Sequence, residues 1–241
     1  MLAHFLPFLA GHLEGGGTVI EVGAKCGDTV AAMAAQNPQL HPLCVEPADQ
    51  ILRYLKTNIN GMHQVAPGLQ IETETVAAKV GKVITQAGPA GCHGSKHAVS
   101  STRGPRTTTL DPVVVTGARS PLRLLKSDVD GFDYEIVRSA AGLICRDHSL
   151  IFFERQFFDE AQISSFEDLM TRPSDADLAH GTVFDNSGNV MLAGSQPSQM
   201  RQPMTYNWRQ QQKRATRTTC FFDILAAASS NNASVDRVLD A

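Results

Sequence analysis

Between Val19 and Thr29 the chain reads V-I-E-V-G-A-K-C-G-D-T, and its chemistry lies in two glycines and the acids around them. Gly23 allows a sharp turn after the apolar run, and Gly27 lets a ligand or the following helix approach closely. A dinucleotide site would read G-x-G-x-x-G, with the pyrophosphate resting on a helix N-terminus. Here Glu21 fills the first position, where an anion opposes a pyrophosphate. A P-loop would need Lys and then Ser or Thr after the last glycine, but Asp28 follows Gly27. S-adenosylmethionine differs from both ligands: it carries a sulfonium and an ammonium, and no phosphate. A carboxylate at the tip of a strand suits it.

Two further sets of acids fall at comparable places. Glu46, followed by Pro47, ends a second apolar run about twenty residues past the glycines, where an acid can hold both ribose hydroxyls. In L-L-K-S-D-V-D-G-F-D-Y-E (124–135), a strand ending near Ser127 leaves Asp128 and Asp130 beyond its carboxyl end. Those acids could accept a proton from a hydroxyl, orient it, or hold a divalent metal. Asp128 to Asp133 could equally cap the helix that follows.

The elements that must position these residues follow from periodicity. Thr18–Val22, Pro42–Val45, Gln70–Ala77, Leu122–Ser127 and Ser149–Phe153 read as buried strands. Helical patterns over 28–36, 48–58 and 134–143 separate them. Such alternation predicts an α/β fold with a parallel sheet and helices on both faces. Ligands on such a sheet bind at the carboxyl ends of the strands. Thr182 to Leu192 carries a hairpin signature, two apolar runs joined by an Asn/Ser/Gly turn. A parallel sheet finished by an antiparallel pair is the restricted topology of class I methyltransferases. Gln86–Thr109 and Gly194–Thr219 read as loops, the first as a lid carrying His93 and His97, the second free of acids and basic.

At 241 residues, 42% hydrophobic and 19% charged, the chain has the composition of an ordinary globular protein and the length for one domain over 1–241. The apolar opening, 1–17, lacks a basic flank and reads as a packing helix or arm rather than a signal peptide. No apolar run reaches the ~18 residues of a membrane span. Net charge −3 gives no overall basic footprint for nucleic acid. Five scattered cysteines without a C-x-x-C pair argue against a disulfide framework or structural zinc, and fit a reducing cytoplasm.

In their order, these pieces resemble the FkbM-type methyltransferases: I-E-V-G-A-K-C-G-D-T, C-V-E-P-A-D-Q-I-L-R-Y-L-K-T-N, V-A-A-K-V-G, T-L-D, L-L-K-S-D-V-D-G-F-D-Y-E-I-V and F-F-E at 152–154. The later V-F-D-N-S-G-N-V and F-F-D-I-L-A (221–226) are similar too, so the resemblance runs from about residue 18 to 226. It implies a class I methyltransferase (Rossmann-like) three-layer sandwich, with a mostly parallel seven-stranded sheet and a C-terminal antiparallel hairpin. It further implies S-adenosylmethionine as cofactor and a hydroxylated small molecule, such as a sugar, glycan or polyketide, as acceptor. Carried over by position, Glu21, Gly23, Ala24, Gly27 and Asp28 would line the methionine end. Glu46 with Pro47 would hold the ribose, Ala77 and Ala78 would flank the adenine, and Asp128 would lie near the transferred methyl. The family more often has Asp at 21, Asn at 25, Ile at 26, and Glu at 130 and 133.

Candidates for the base that takes the hydroxyl proton are Asp128 first, then His97 or His93 from the lid, with Asp130 beside Asp128. Metal dependence stays open, because no third ligand at fixed spacing accompanies Asp128 and Asp130. Two other classes compete: a nucleotide-cofactor oxidoreductase, opposed by Glu21 and the missing third glycine, and a non-catalytic module that binds S-adenosylmethionine. Acceptor identity and oligomeric state are not encoded in any motif.

Overall fold

A computed structural model describes residues 2–62, 69–72, 75–76, 83–87, 97–101, 107–110, 120–129, 133–155, 178–212 and 221–228. The strands are β1 (Gly17–Val22), β2 (Leu40–Val45), β3 (Gln70–Glu72), β4 (Thr75–Val76), β5 (Val83–Ala87), β6 (His97–Ser101), β7 (Thr107–Thr108), β8 (Leu122–Ser127), β9 (Leu150–Arg155), β10 (Leu178–Asp185), β11 (Val190–Ser195) and β12 (Phe222–Ala228). The helices are α1 (Leu2–Gly11), α2 (Asp28–Gln36), α3 (Asp49–Met62), α4 (Asp133–Ser139), α5 (Ala141–Asp147) and α6 (Pro197–Gln212).

Eight strands form the main sheet in the order β3-β2-β1-β8-β9-β12-β10-β11. From β3 to β9 the pairing is parallel. β12 then runs antiparallel between β9 and β10, and β11 folds back on β10. The expected hairpin is therefore β10–β11, but the strand that enters the sheet beside β9 is β12, the last among the described residues. β11 adds an eighth strand at the edge, where seven were expected.

Residues alternate between the two faces of each strand. Ile20, Leu43, Leu125, Phe153 and Ile224 meet Ile136 and Val137 of α4, Leu143 and Ile144 of α5, and Met200 and Met204 of α6. On the other face Val19, Cys44, Leu124, Phe152 and Leu225 meet Leu6 and Leu9 of α1, Val30 and Met33 of α2, and Leu55 and Ile59 of α3. These two apolar layers make the three-layer sandwich. Asn37 holds the N-terminal arm in place: its side-chain amide donates to the carbonyls of Ala10 (3.1 Å) and Leu13 (3.0 Å), satisfying groups left over at the end of α1.

Four expectations change. Gln86–Thr109 is not a plain loop: β5 pairs antiparallel with β6, and β7 pairs with β4. The run H-A-V-S-S at 97–101 holds a single β-branched residue, Val99, and too little apolar alternation to announce a strand. Gly194–Thr219 was also read as a loop, yet α6 occupies most of it. Met200, Met204 and Trp208 recur at helical spacing and pack on the core, a stripe hidden among polar neighbours. The predicted strand Gln70–Ala77 is split into β3 and β4, and the helix predicted over 134–143 is broken at Ala140 into α4 and α5.

Among the described residues no helix is long and apolar enough to cross a membrane. Phe152 ties the arm to the sheet, its ring centroid 6.1 Å from Phe5 and 6.3 Å from Phe184. Phe152→Ala should lower unfolding free energy by about 3–5 kcal/mol, read from the urea midpoint at unchanged m-value.

Candidate active site

The carboxyl ends of β1, β2 and β8 lie side by side, and the chain leaves each of them through charged residues. Gly23 and Gly27 both have positive φ, 78° and 81°, and Lys25 between them is also left-handed at 50°. A Cβ on Gly23 would collide with the Asp128 carbonyl oxygen, so this glycine lets the tips of β1 and β8 approach. A Cβ on Gly27 would lie 2.8 Å from Leu55 Cδ1. Of the two roles sequence left open for Gly27, close packing against a helix is the one visible here, and the helix is α3.

Glu46 fixes the turn from the neighbouring strand. One of its oxygens accepts the Lys25 N–H at 3.0 Å and the other accepts the Ala48 N–H at 2.9 Å. The carboxylate is buried, yet each oxygen keeps a lone pair for a further donor. Ala24 is buried within the turn, Pro47 is exposed at the end of β2, and Asp28 is exposed at the first position of α2.

Beneath the turn is a buried ion pair. Lys126 Nζ lies 2.6 Å from Glu21 Oε1, and both side chains are almost wholly enclosed. Register places the two residues opposite each other on β1 and β8, and alternation turns both toward the face of α1, α2 and α3. Burial pushes the Glu21 carboxyl above its ordinary range, and the Lys126 ammonium opposes that without cancelling it. Burial also acts to lower Lys126, but Glu21, Asp128 and Asp133 outweigh it and keep the ammonium charged. Glu21 Oε2 has no hydrogen-bond partner among the described residues.

Asp128 stands above this pair. Its Oδ2 is 2.9 Å from Lys25 Nζ and 3.7 Å from Lys126 Nζ. Asp133, the first residue of α4, turns its carboxylate back to the end of β8: its Oδ1 accepts the Ser127 hydroxyl at 2.7 Å and the Val129 N–H at 3.1 Å. The backbone of His97 lies in β6. Asp130, Ala77, Ala78 and His93 lie outside the described residues. Among the described residues no group of three or more His, Cys, Asp or Glu side chains is placed to hold a metal.

Sequence reasoning passed over two residues. Lys126 follows two leucines and reads as a solvated residue at a strand end, yet it is the buried partner of Glu21. Asp223 lies on β12 in register with Glu154 of β9, which in turn continues the row that leads from Asp128. Only 4% exposed, Asp223 has an Oδ2 with no partner among the described residues. Burial pushes its pKa up to about 8, helped by Asp128, Asp133 and Asp185 and opposed by Lys126. Only the crossover that brings the last strand beside β9 puts this acid at the site.

Two outcomes follow. Lys126→Met leaves Glu21 buried without a cation and should cost about 3–5 kcal/mol in chemical denaturation; the double change Glu21→Gln/Lys126→Met should recover more than half of that loss. For Asp223, the folded chain keeps a proton that the unfolded chain loses near pH 4, so stability declines as pH rises toward about 8 and levels off above it. Urea unfolding between about pH 5 and 9 should show wild type losing up to ~1.4 kcal/mol per pH unit relative to Asp223→Asn below pH ~8. A constant difference between the two proteins across that range would contradict this.

The Methyltransferase FkbM domain model matches residues 21–177, well over half of the chain. No curated protein sequence matches closely enough to add a relative. Among solved structures, cofactor-bound Rv0187 from MTB superposes with a TM-score of 0.50 at 13% identity, over 93% of this chain and 78% of that one. The METTL16 MTase domain gives 0.50 at 10% identity, over 94% and 66%. Methyltransferase FkbM from Methylobacillus flagellatus KT gives 0.42 at 11% identity, over 58% of this chain and 32% of that one. At such identities the first two likenesses speak for the fold. Together with the family match over 21–177, the sheet order and the acidic glycine turn place the chain in the FkbM methyltransferase family, with the class I methyltransferase fold.

Proposed function

We propose that the protein transfers a methyl group from S-adenosylmethionine to a hydroxyl of a small molecule of the sugar, glycan or polyketide type. The observation that carries this reading is the turn itself: a Gly23–Gly27 loop, left-handed at Gly23, Lys25 and Gly27, surrounded by the carboxylates of Glu21, Asp28, Glu46 and Asp128, which oppose a phosphate there. S-adenosylmethionine would supply an electrophilic methyl on a cationic sulfur, and a field of carboxylates favours that cation. Glu46 would hold the ribose through the lone pairs its two backbone bonds leave over. Gly23, Ala24 and Gly27 would receive the methionine end, Pro47 would bound the ribose side, and Ala77 the adenine.

Methyl transfer is a displacement at carbon, so the chain's main tasks are orientation and exclusion of water. The acceptor hydroxyl must also lose a proton. We assign that proton to Asp128 at the carboxyl edge of β8, with His97 and Asp130 as further candidates. Among the described residues, the cations that meet Asp128, Lys25 and Lys126, both face its Oδ2, and this reading gives the proton to Oδ1. A divalent metal stays optional in this reading. The protein is proposed to work in the cytoplasm as one catalytic domain.

Calorimetry tests the cofactor first. Wild type should bind S-adenosylmethionine with a dissociation constant on the order of micromolar and should not bind NAD. Glu46→Ala should weaken binding roughly 10-fold or more, since it removes a charged hydrogen-bond acceptor. NAD binding without S-adenosylmethionine binding would return the chain to the oxidoreductase class. Cofactor binding without methylation of any hydroxylated acceptor would leave a non-catalytic module.

A further inference from the structure

Lys25 stands where the resemblance leads one to expect Asn, and among the described residues of the site it is the exposed cation. Its backbone is locked: φ is 50°, and its N–H is held by Glu46 Oε2 at 3.0 Å. Its side chain, about half exposed, crosses from the β1 turn to the β8 tip and meets Asp128 Oδ2 at 2.9 Å. The other ammonium, Lys126, is buried and pressed against Glu21. A ligand with a carboxylate of its own, entering this acidic turn, would therefore find in Lys25 the accessible counter-charge among the described residues, and that charge rests on Asp128.

Building on the donor reading above, we propose that Lys25 recognises the amino-acid carboxylate of the methyl donor, and that it does so by changing partners. Lys25 neutralises Asp128 at Oδ2. When the donor enters, the Lys25 ammonium swings to its carboxylate and leaves Asp128 Oδ2 with Lys126 Nζ, 3.7 Å away, as its remaining cation among the described residues. The long, flexible stem of lysine permits that swing while the backbone stays fixed. Asn, with a short neutral side chain, could do neither. The selected ligand class is an adenosyl thioether or sulfonium that carries an α-carboxylate.

Two stable probes separate this from the reading on which it rests: S-adenosylhomocysteine, which has the amino-acid end, and 5′-methylthioadenosine, which lacks it. Both are titrated by calorimetry into wild type, Lys25→Met and Asp128→Asn. Lys25→Met should lose roughly 10- to 100-fold in affinity for S-adenosylhomocysteine, the span of one charge-assisted bond. Its affinity for 5′-methylthioadenosine should stay within about 2-fold of wild type, which also shows that the variant's site is folded. Asp128→Asn, which no longer competes for Lys25, should bind S-adenosylhomocysteine more tightly than wild type. Equal S-adenosylhomocysteine affinity in wild type and Lys25→Met overturns the recognition role. Weaker or unchanged binding in Asp128→Asn overturns the exchange of partners. If neither probe binds wild type, the donor reading itself fails and this inference fails with it.

Discussion

A salt bridge buried between two parallel strands is an expensive thing to fold around, and this structure is arranged about one. Glu21 and Lys126 are opposite each other on β1 and β8, 2.6 Å apart and out of water. Taking two such charges from water costs several kcal/mol each, and their attraction offsets that only in good geometry. Parallel register supplies the geometry, since a slip of one residue would turn either side chain to the opposite face. The pair thus fixes how the two strands stand against each other. Everything above it depends on that: the approach of Gly23 to the Asp128 carbonyl, the position of Asp128, and the height of the turn that Glu46 holds.

From this pair outward, charge is layered by exposure. Glu21 and Lys126 are sealed below. Asp128, partly exposed, forms an intermediate level, and the buried Glu46 beside it is bonded yet retains acceptor capacity. Lys25 and Asp28 are at the surface of the turn, where water screens them and a ligand can reach them. The sealed level stiffens the strand ends and the outer level can exchange partners, which is the division a ligand site needs. Asp223 extends the acidic side two strands further along the same edge, where its burial keeps it protonated near neutral pH.

Much of this was legible before folding. The glycine turn, the acid ending β2 and the acids after β8 are local signals, readable because strand, turn and helix start fall within a few residues of one another. The alternation that announces a parallel sheet is equally local, and it placed β1, β2, β8 and β9 closely. The misreadings share a cause. In α6 the burying residues are sparse and set among Ser, Thr, Gln and Arg, so the pattern emerges only once a core is present to face. Lys126 was overlooked because a lysine at a strand end is usually solvated, and nothing in its neighbours says that a carboxylate waits across the next strand.

What the sequence determined by itself is therefore the chemistry of the turn and the class of fold, since both rest on residues close together in the chain. The tertiary structure decided which charges meet. Glu21 and Lys126 are about a hundred residues apart in sequence, as are Lys25 and Asp128, and Asp223 reaches the site only because the last strand inserts beside β9. Pairings at such separation depend on sheet order and register, which no local pattern contains. Only the folded sheet distinguishes a solvated surface charge from one held within 3 Å of its partner.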